Sequence, residues 1–88
     1  MAAQGFRLAG GRLDYMNNRD VAVLVYEYNK HVISLFVWPV SGKPPAGESA
    51  FTREGYNMVH WSDNGMTYWA VSDTETDILR KFCDAIKD

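Results

Sequence analysis

Cysteine occurs once in this chain, at Cys83, and proline only three times. A lone thiol excludes an intrachain disulfide and any zinc cage built on several cysteines. A surplus of charge is also missing: nine Lys and Arg stand against eleven Asp and Glu, a net charge of −2. Neutralising nucleic-acid phosphates demands a cationic excess, so nucleic acid is not an expected partner. No apolar run approaches the ~20 residues that a membrane-spanning helix needs. The first residues lack the basic-then-apolar order of a secretory signal. With 88 residues there is room for one hydrophobic core. Residues 1–4 carry no pattern and read as a disordered or appended start, leaving 5–88 as a single domain. What the chain has in quantity is aromatic: three Trp, five Tyr and four Phe.

The order of apolar residues predicts strands first and a helix last. Gly5–Ala9 and Arg12–Met16 alternate crudely around Gly10-Gly11, which is either a bulge in one long strand or a turn between two short ones. Asn17-Asn18-Arg19-Asp20 supplies a polar turn. Val21–Tyr28 and His31–Trp38 are rich in β-branched and aromatic residues and form a hairpin about Asn29-Lys30. Its register sets Tyr26 opposite Ile33, Leu24 opposite Leu35 and Ala22 opposite Val37. The other face then carries Val21, Val23, Val25, Ser34, Phe36 and Trp38. Both faces are apolar, so this hairpin needs cover on two sides. Pro39 ends it, and Val40–Ala50 reads as an irregular surface loop.

A second hairpin spans 55–72 about Asn64-Gly65, the preferred type I′ pair. It sets Trp61 opposite Tyr68, Val59 opposite Ala70 and His60 opposite Trp69. Ser72-Asp73-Thr74-Glu75 has the form of a capping box. Ile78, Leu79, Phe82, Cys83 and Ile86 then fall on one helical stripe. The expected fold is α+β: a meandering antiparallel sheet of five to six strands with one C-terminal helix on one face.

Candidates for chemistry are few. His60 could titrate as a base or pH sensor, but its strand position reads more simply as packing against Trp69. His31 reads as a turn residue. Cys83 lies on the apolar stripe late in the helix, whereas a reactive thiolate favours a helix N-terminus or basic neighbours. The carboxylates around 62–65 and 73–77 serve turn and helix-start roles. Gly10-Gly11 is no phosphate loop, since no Lys-Ser/Thr follows. No catalytic, metal or cofactor site is therefore expected. The aromatic excess is the better lead, because one helix cannot cover two apolar faces. Tyr26, Trp38, Tyr56, His60, Trp61, Tyr68 and Trp69 form the candidate interaction surface, for a protein partner or a second copy. The alternative is a small-ligand pocket on the 55–72 hairpin, lined by Tyr56, Trp61, Tyr68 and Trp69.

Several blocks, taken in order, also resemble a known family. They are GFRL at 5–8, GGRLDY at 10–15, VAVLVY at 21–26, HVISLFVWP at 31–39, GYNMVHWSD at 55–63 and GMTYWAVSD at 65–73. Together they are similar to the C-terminal domain of proteobacterial membrane-anchored anti-sigma factors. The likeness covers nearly the whole chain, and the two Trp-containing blocks are its most specific part. It implies a non-enzymatic sensory or interaction domain on the periplasmic face of the inner membrane. In that family a single transmembrane helix joins this domain to a cytoplasmic one that sequesters an extracytoplasmic-function sigma factor. The cytoplasmic part often carries a His-x3-Cys-x2-Cys zinc motif, which is not found in these 88 residues. Sigma-factor binding through that motif and membrane anchoring would need segments outside this sequence. The resemblance brings no catalytic or ligand-binding residue with it.

Overall fold

A computed structural model describes residues 5–40 and 47–87. Among these, six strands precede one helix: β1 (Arg7–Met16), β2 (Arg19–Tyr28), β3 (His31–Pro39), β4 (Glu48–Arg53), β5 (Tyr56–Asp63), β6 (Met66–Ser72) and α1 (Thr76–Lys87). The strands form one antiparallel sheet in the order β1-β2-β3-β6-β5-β4. It consists of two three-stranded meanders joined along a single β3–β6 seam. The expected α+β class and the C-terminal helix are as observed. The start at 1–4 lies outside the described residues, as does most of the expected loop.

Tight turns set the register. Asn17-Asn18, Asn29-Lys30, Glu54-Gly55 and Asn64-Gly65 all have positive φ at both central positions. That is the type I′ geometry, whose twist matches that of the flanking strands. The pairs foreseen for β2–β3 and β5–β6 are found, including Tyr26↔Ile33, Leu24↔Leu35, His60↔Trp69 and Trp61↔Tyr68. Gly10-Gly11 turns no corner. Both residues pair with β2, and the register shifts between Leu8 and Gly10, so β1 is one strand with a bulge at Ala9.

Two local expectations are corrected. Glu48–Ala50, read as loop, belongs to β4 and pairs with Trp61, His60 and Val59 of β5. Every β4 residue is exposed, so neither alternation nor an apolar run marked it. The capping box does not form either. Leu79 N–H donates to the Glu75 carbonyl at 3.0 Å, which makes Glu75 the N-cap. Ser72 stays in β6, where its hydroxyl donates to the Val32 carbonyl (2.8 Å) and accepts the Thr74 N–H (3.1 Å). It thus binds the helix lead-in to the seam.

The core lies between α1 and one face of the sheet. Leu79, Phe82 and Cys83 from α1 meet Ile33, Leu35, Val59, Trp61, Ala70 and Tyr26, and Phe6 closes one end. Phe6 stands edge-on to Phe82, with ring centroids 5.4 Å apart. A carboxylate fastens the helix to the far edge: Glu48 of β4 accepts from Arg80 at 2.8 Å and from Lys87. Over β1, on the same side of the sheet, Leu8, Leu13 and Tyr15 are exposed.

Candidate functional site

Side chains alternate across a strand, so residues adjacent in sequence point to opposite faces. This divides the seven candidate residues. Tyr26, Trp61 and Tyr68 project beneath or beside the helix. Tyr26 is buried edge-on to Phe82, with centroids 4.9 Å apart. Trp61 is also buried and stacks on Tyr68 at 5.1 Å with an interplanar angle of 5°. The Lys87 ammonium lies 5.0 Å from the Trp61 ring centroid. Tyr26 and Trp61 are core residues, and Tyr68 packs against that core. None of the three belongs to a surface on the opposite face, and no pocket can be lined jointly by Trp61, Tyr68 and Trp69.

Trp38, Tyr56, His60 and Trp69 are brought together on the face opposite the helix. Strand register builds this face in rows. One row runs Val23–Phe36–Trp69–His60 across β2, β3, β6 and β5, and its neighbour runs Val25–Ser34–Val71–Met58. His60 stacks on Trp69 at 4.5 Å with an interplanar angle of 12°. Phe51 of β4 stands edge-on to both rings, at 6.0 and 5.8 Å. At the other end the Arg19 guanidinium lies 5.6 Å from the Trp38 ring centroid. Tyr56 is about half exposed, at the margin of this face.

These rows enclose an open groove of about 420 Å³, lined chiefly by Met16, Arg19, Phe36, Trp38, Met58 and Trp69. Met16 and Met58 belong to strands with three others between them in the sheet, so the β1–β2 end must curl over to let both line it. The groove has an apolar floor and a cationic rim. Dispersion contacts and burial would supply affinity there, and Arg19 would orient an acidic or polar group at the edge. Phe36, Met58, Val71, Met16 and Arg19 were not among the candidates. Stepping by two from Trp38, His60 and Trp69 finds the first three. Met16 and Arg19 flank a turn, and no strand periodicity marks them.

Titratable groups are sparse around the groove. Among the described residues, no group of three or more His, Cys, Asp or Glu is placed to hold a metal ion. Cys83 and His60 lie on opposite sides of the sheet and cannot act as a pair. The Cys83 thiol is pushed up to about 12, chiefly by burial, with the Glu48 carboxylate reinforcing the shift. His31 accompanies Asp73 at 2.9 Å, near the start of α1 and away from the groove. Family models, curated proteins and solved structures provide no match to this chain.

Proposed function

We propose that this chain is a non-catalytic interaction domain that receives an apolar segment of a partner protein in the groove opposite its helix. The observation that carries this reading is the face itself. Phe36, Trp38, Met58, Trp69 and Val71 form a contiguous, half-buried apolar surface on a side where, among the described residues, no helix lies. Contiguous apolar area with an aromatic centre and a charged rim is the composition of recognition surfaces.

The resemblance in the two Trp-containing blocks supplies a setting. The domain would face the periplasm as part of a single-pass anti-sigma factor, and partner binding would report envelope conditions to a cytoplasmic domain that holds the sigma factor. A second reading is a small apolar ligand, because the groove volume falls within the range of small-molecule sites.

A genetic experiment tests the proposal. Met58→Glu and Trp69→Ala, introduced separately into the complete gene, place a charge or a void in the groove without touching the helix-side core. Sigma-dependent transcription should lose its response to envelope stress in both, while the purified chains still melt cooperatively. A wild-type response in both variants would overturn the groove as the functional surface. A coding sequence without an upstream membrane span and sigma-binding domain would remove the anti-sigma setting alone. Quenching of Trp38 and Trp69 fluorescence by a small envelope metabolite or lipid would favour the second reading.

A further inference from the structure

Among the described residues, the edge strand β1 is a second feature that lacks cover, and it does not depend on the groove. Its hydrogen-bonding directions follow from the turns. Met16↔Arg19 closes a two-residue hairpin, so Met16, Asp14, Arg12 and Gly10 direct their N–H and C=O groups inward to β2. Counting from Tyr28↔His31 gives the same result, since alternate residues of β2 from Val21 to Glu27 must face β1. Gly11, Leu13 and Tyr15 therefore present their backbone groups outward from the sheet. Leu13 is 78% exposed and Tyr15 69%, on the helix side of the sheet but beyond the span that the helix covers. β1 contains no proline and is ten residues long, so it lacks two common protections of an edge strand.

We propose that β1 pairs antiparallel with β1 of a second copy, about a two-fold axis at Leu13, joining two six-stranded sheets into one. Two independent observations select this register. The regular part of β1 lies between the bulge at Ala9 and the turn at Asn17, that is, Gly10–Met16, and its midpoint is Leu13. Charge selects the same axis. Centred there, Arg12 of each copy faces Asp14 of the other in a non-hydrogen-bonded pair, where side chains are closest. Sliding one strand by two residues sets Arg12 against Arg12 in one direction and Asp14 against Asp14 in the other, and like charges directly opposite destabilise a sheet.

The remaining contacts agree. Leu13 meets Leu13, exchanging both hydrogen bonds, and each Tyr15 ring lies over Gly11 of the other copy, a recognised way of covering a glycine in a sheet. Leu24 borders that spot, since a Cβ on Gly11 would lie 3.1 Å from its Cδ2. Within one chain Arg12 already bonds Asp14 at 2.9 Å, so the dimer extends one ion pair into a four-charge array. Both groups are partly exposed, and the charge pattern acts mainly on register.

Sedimentation equilibrium on the 88-residue chain tests the proposal. The wild type should reversibly dimerise. Arg12→Asp and Asp14→Arg should each weaken dimerisation about tenfold or more, because each places like charges opposite each other twice. An equimolar mixture of the two variants should restore it, since one chain then carries two acidic positions and the other two basic ones. Circular dichroism melts of each variant alone establish that the fold persists. A wild type that stays monomeric at millimolar concentration would overturn the proposal. So would a dimer indifferent to both reversals, or a mixture that fails to recover.

Discussion

Cys83 shows how far a single position can be read. Its place on the apolar helical stripe marked it as a core residue, and the structure buries it completely. Its chemistry follows from that burial. A thiol whose ordinary value is 9.0 and whose folded value is about 12 does not act as a thiolate nucleophile at pH 8. Native protein should resist iodoacetamide, and labelling should proceed only through unfolding. The linkage has a definite sign. Between pH 9 and 12 the unfolded chain has lost this proton and the native state retains it, so the contribution is intact below pH 9 and falls above it. The loss is about 1.4 kcal/mol per pH unit. Urea melts of wild type against Cys83→Ala across that range would isolate it, as a steeper alkaline decline in the wild type. At neighbouring aromatic positions a single step decides the role. Trp61 is core and His60 lies on the opposite face, stacked on Trp69, because they are adjacent in one strand. Composition counts both; only phase separates them, and the Asn64-Gly65 turn carries that phase.

Among the elements, the four type I′ hairpins differ in how well their residues suit the turn. Asn64-Gly65 fits both left-handed positions, whereas Asn29-Lys30 holds a lysine at φ 69°. Lys30→Gly should relieve that conformation and stabilise the chain by about 0.5–1 kcal/mol, offset partly by greater freedom of the unfolded state. A midpoint shift in urea without a change in m-value would show it. The same contrast explains which elements were legible. β2, β3, β5 and β6 alternate or run apolar, and a polar turn or an Asn-led pair separates them, so their register could be read residue by residue. β4 could not. Its segment, Glu48–Arg53, is exposed throughout, and it forms a strand because the Glu54-Gly55 turn folds it back on β5. The capping signal at Ser72–Glu75 misled for a related reason: Ser72 was claimed by the sheet. A hydroxyl bonded to Val32 of β3 and Thr74 serves a tertiary contact that spacing alone does not encode.

For the whole molecule, the sequence indicated that one helix could not cover two faces, but not which aromatics remained uncovered. That answer needed the order of strands, and β3 beside β6 is the one adjacency that no hairpin dictates. Its consequence is kinetic. Every other strand pair closes over a two-residue turn and forms on the microsecond scale of a hairpin. The seam must wait for distant stretches of chain to meet, with the loop entropy that this entails. Folding should therefore be limited by a nucleus at Leu35↔Ala70 and Phe36↔Trp69, the middle of the seam. Weakening it with Leu35→Ala should slow refolding, whereas Phe51→Ala on the far hairpin should act chiefly by speeding unfolding. Chevron plots for the two variants would separate these limbs, and equal shifts in both would assign the barrier elsewhere. A topology that joins two local meanders at one place gives the chain a single slow decision, and the groove exists only after it is made.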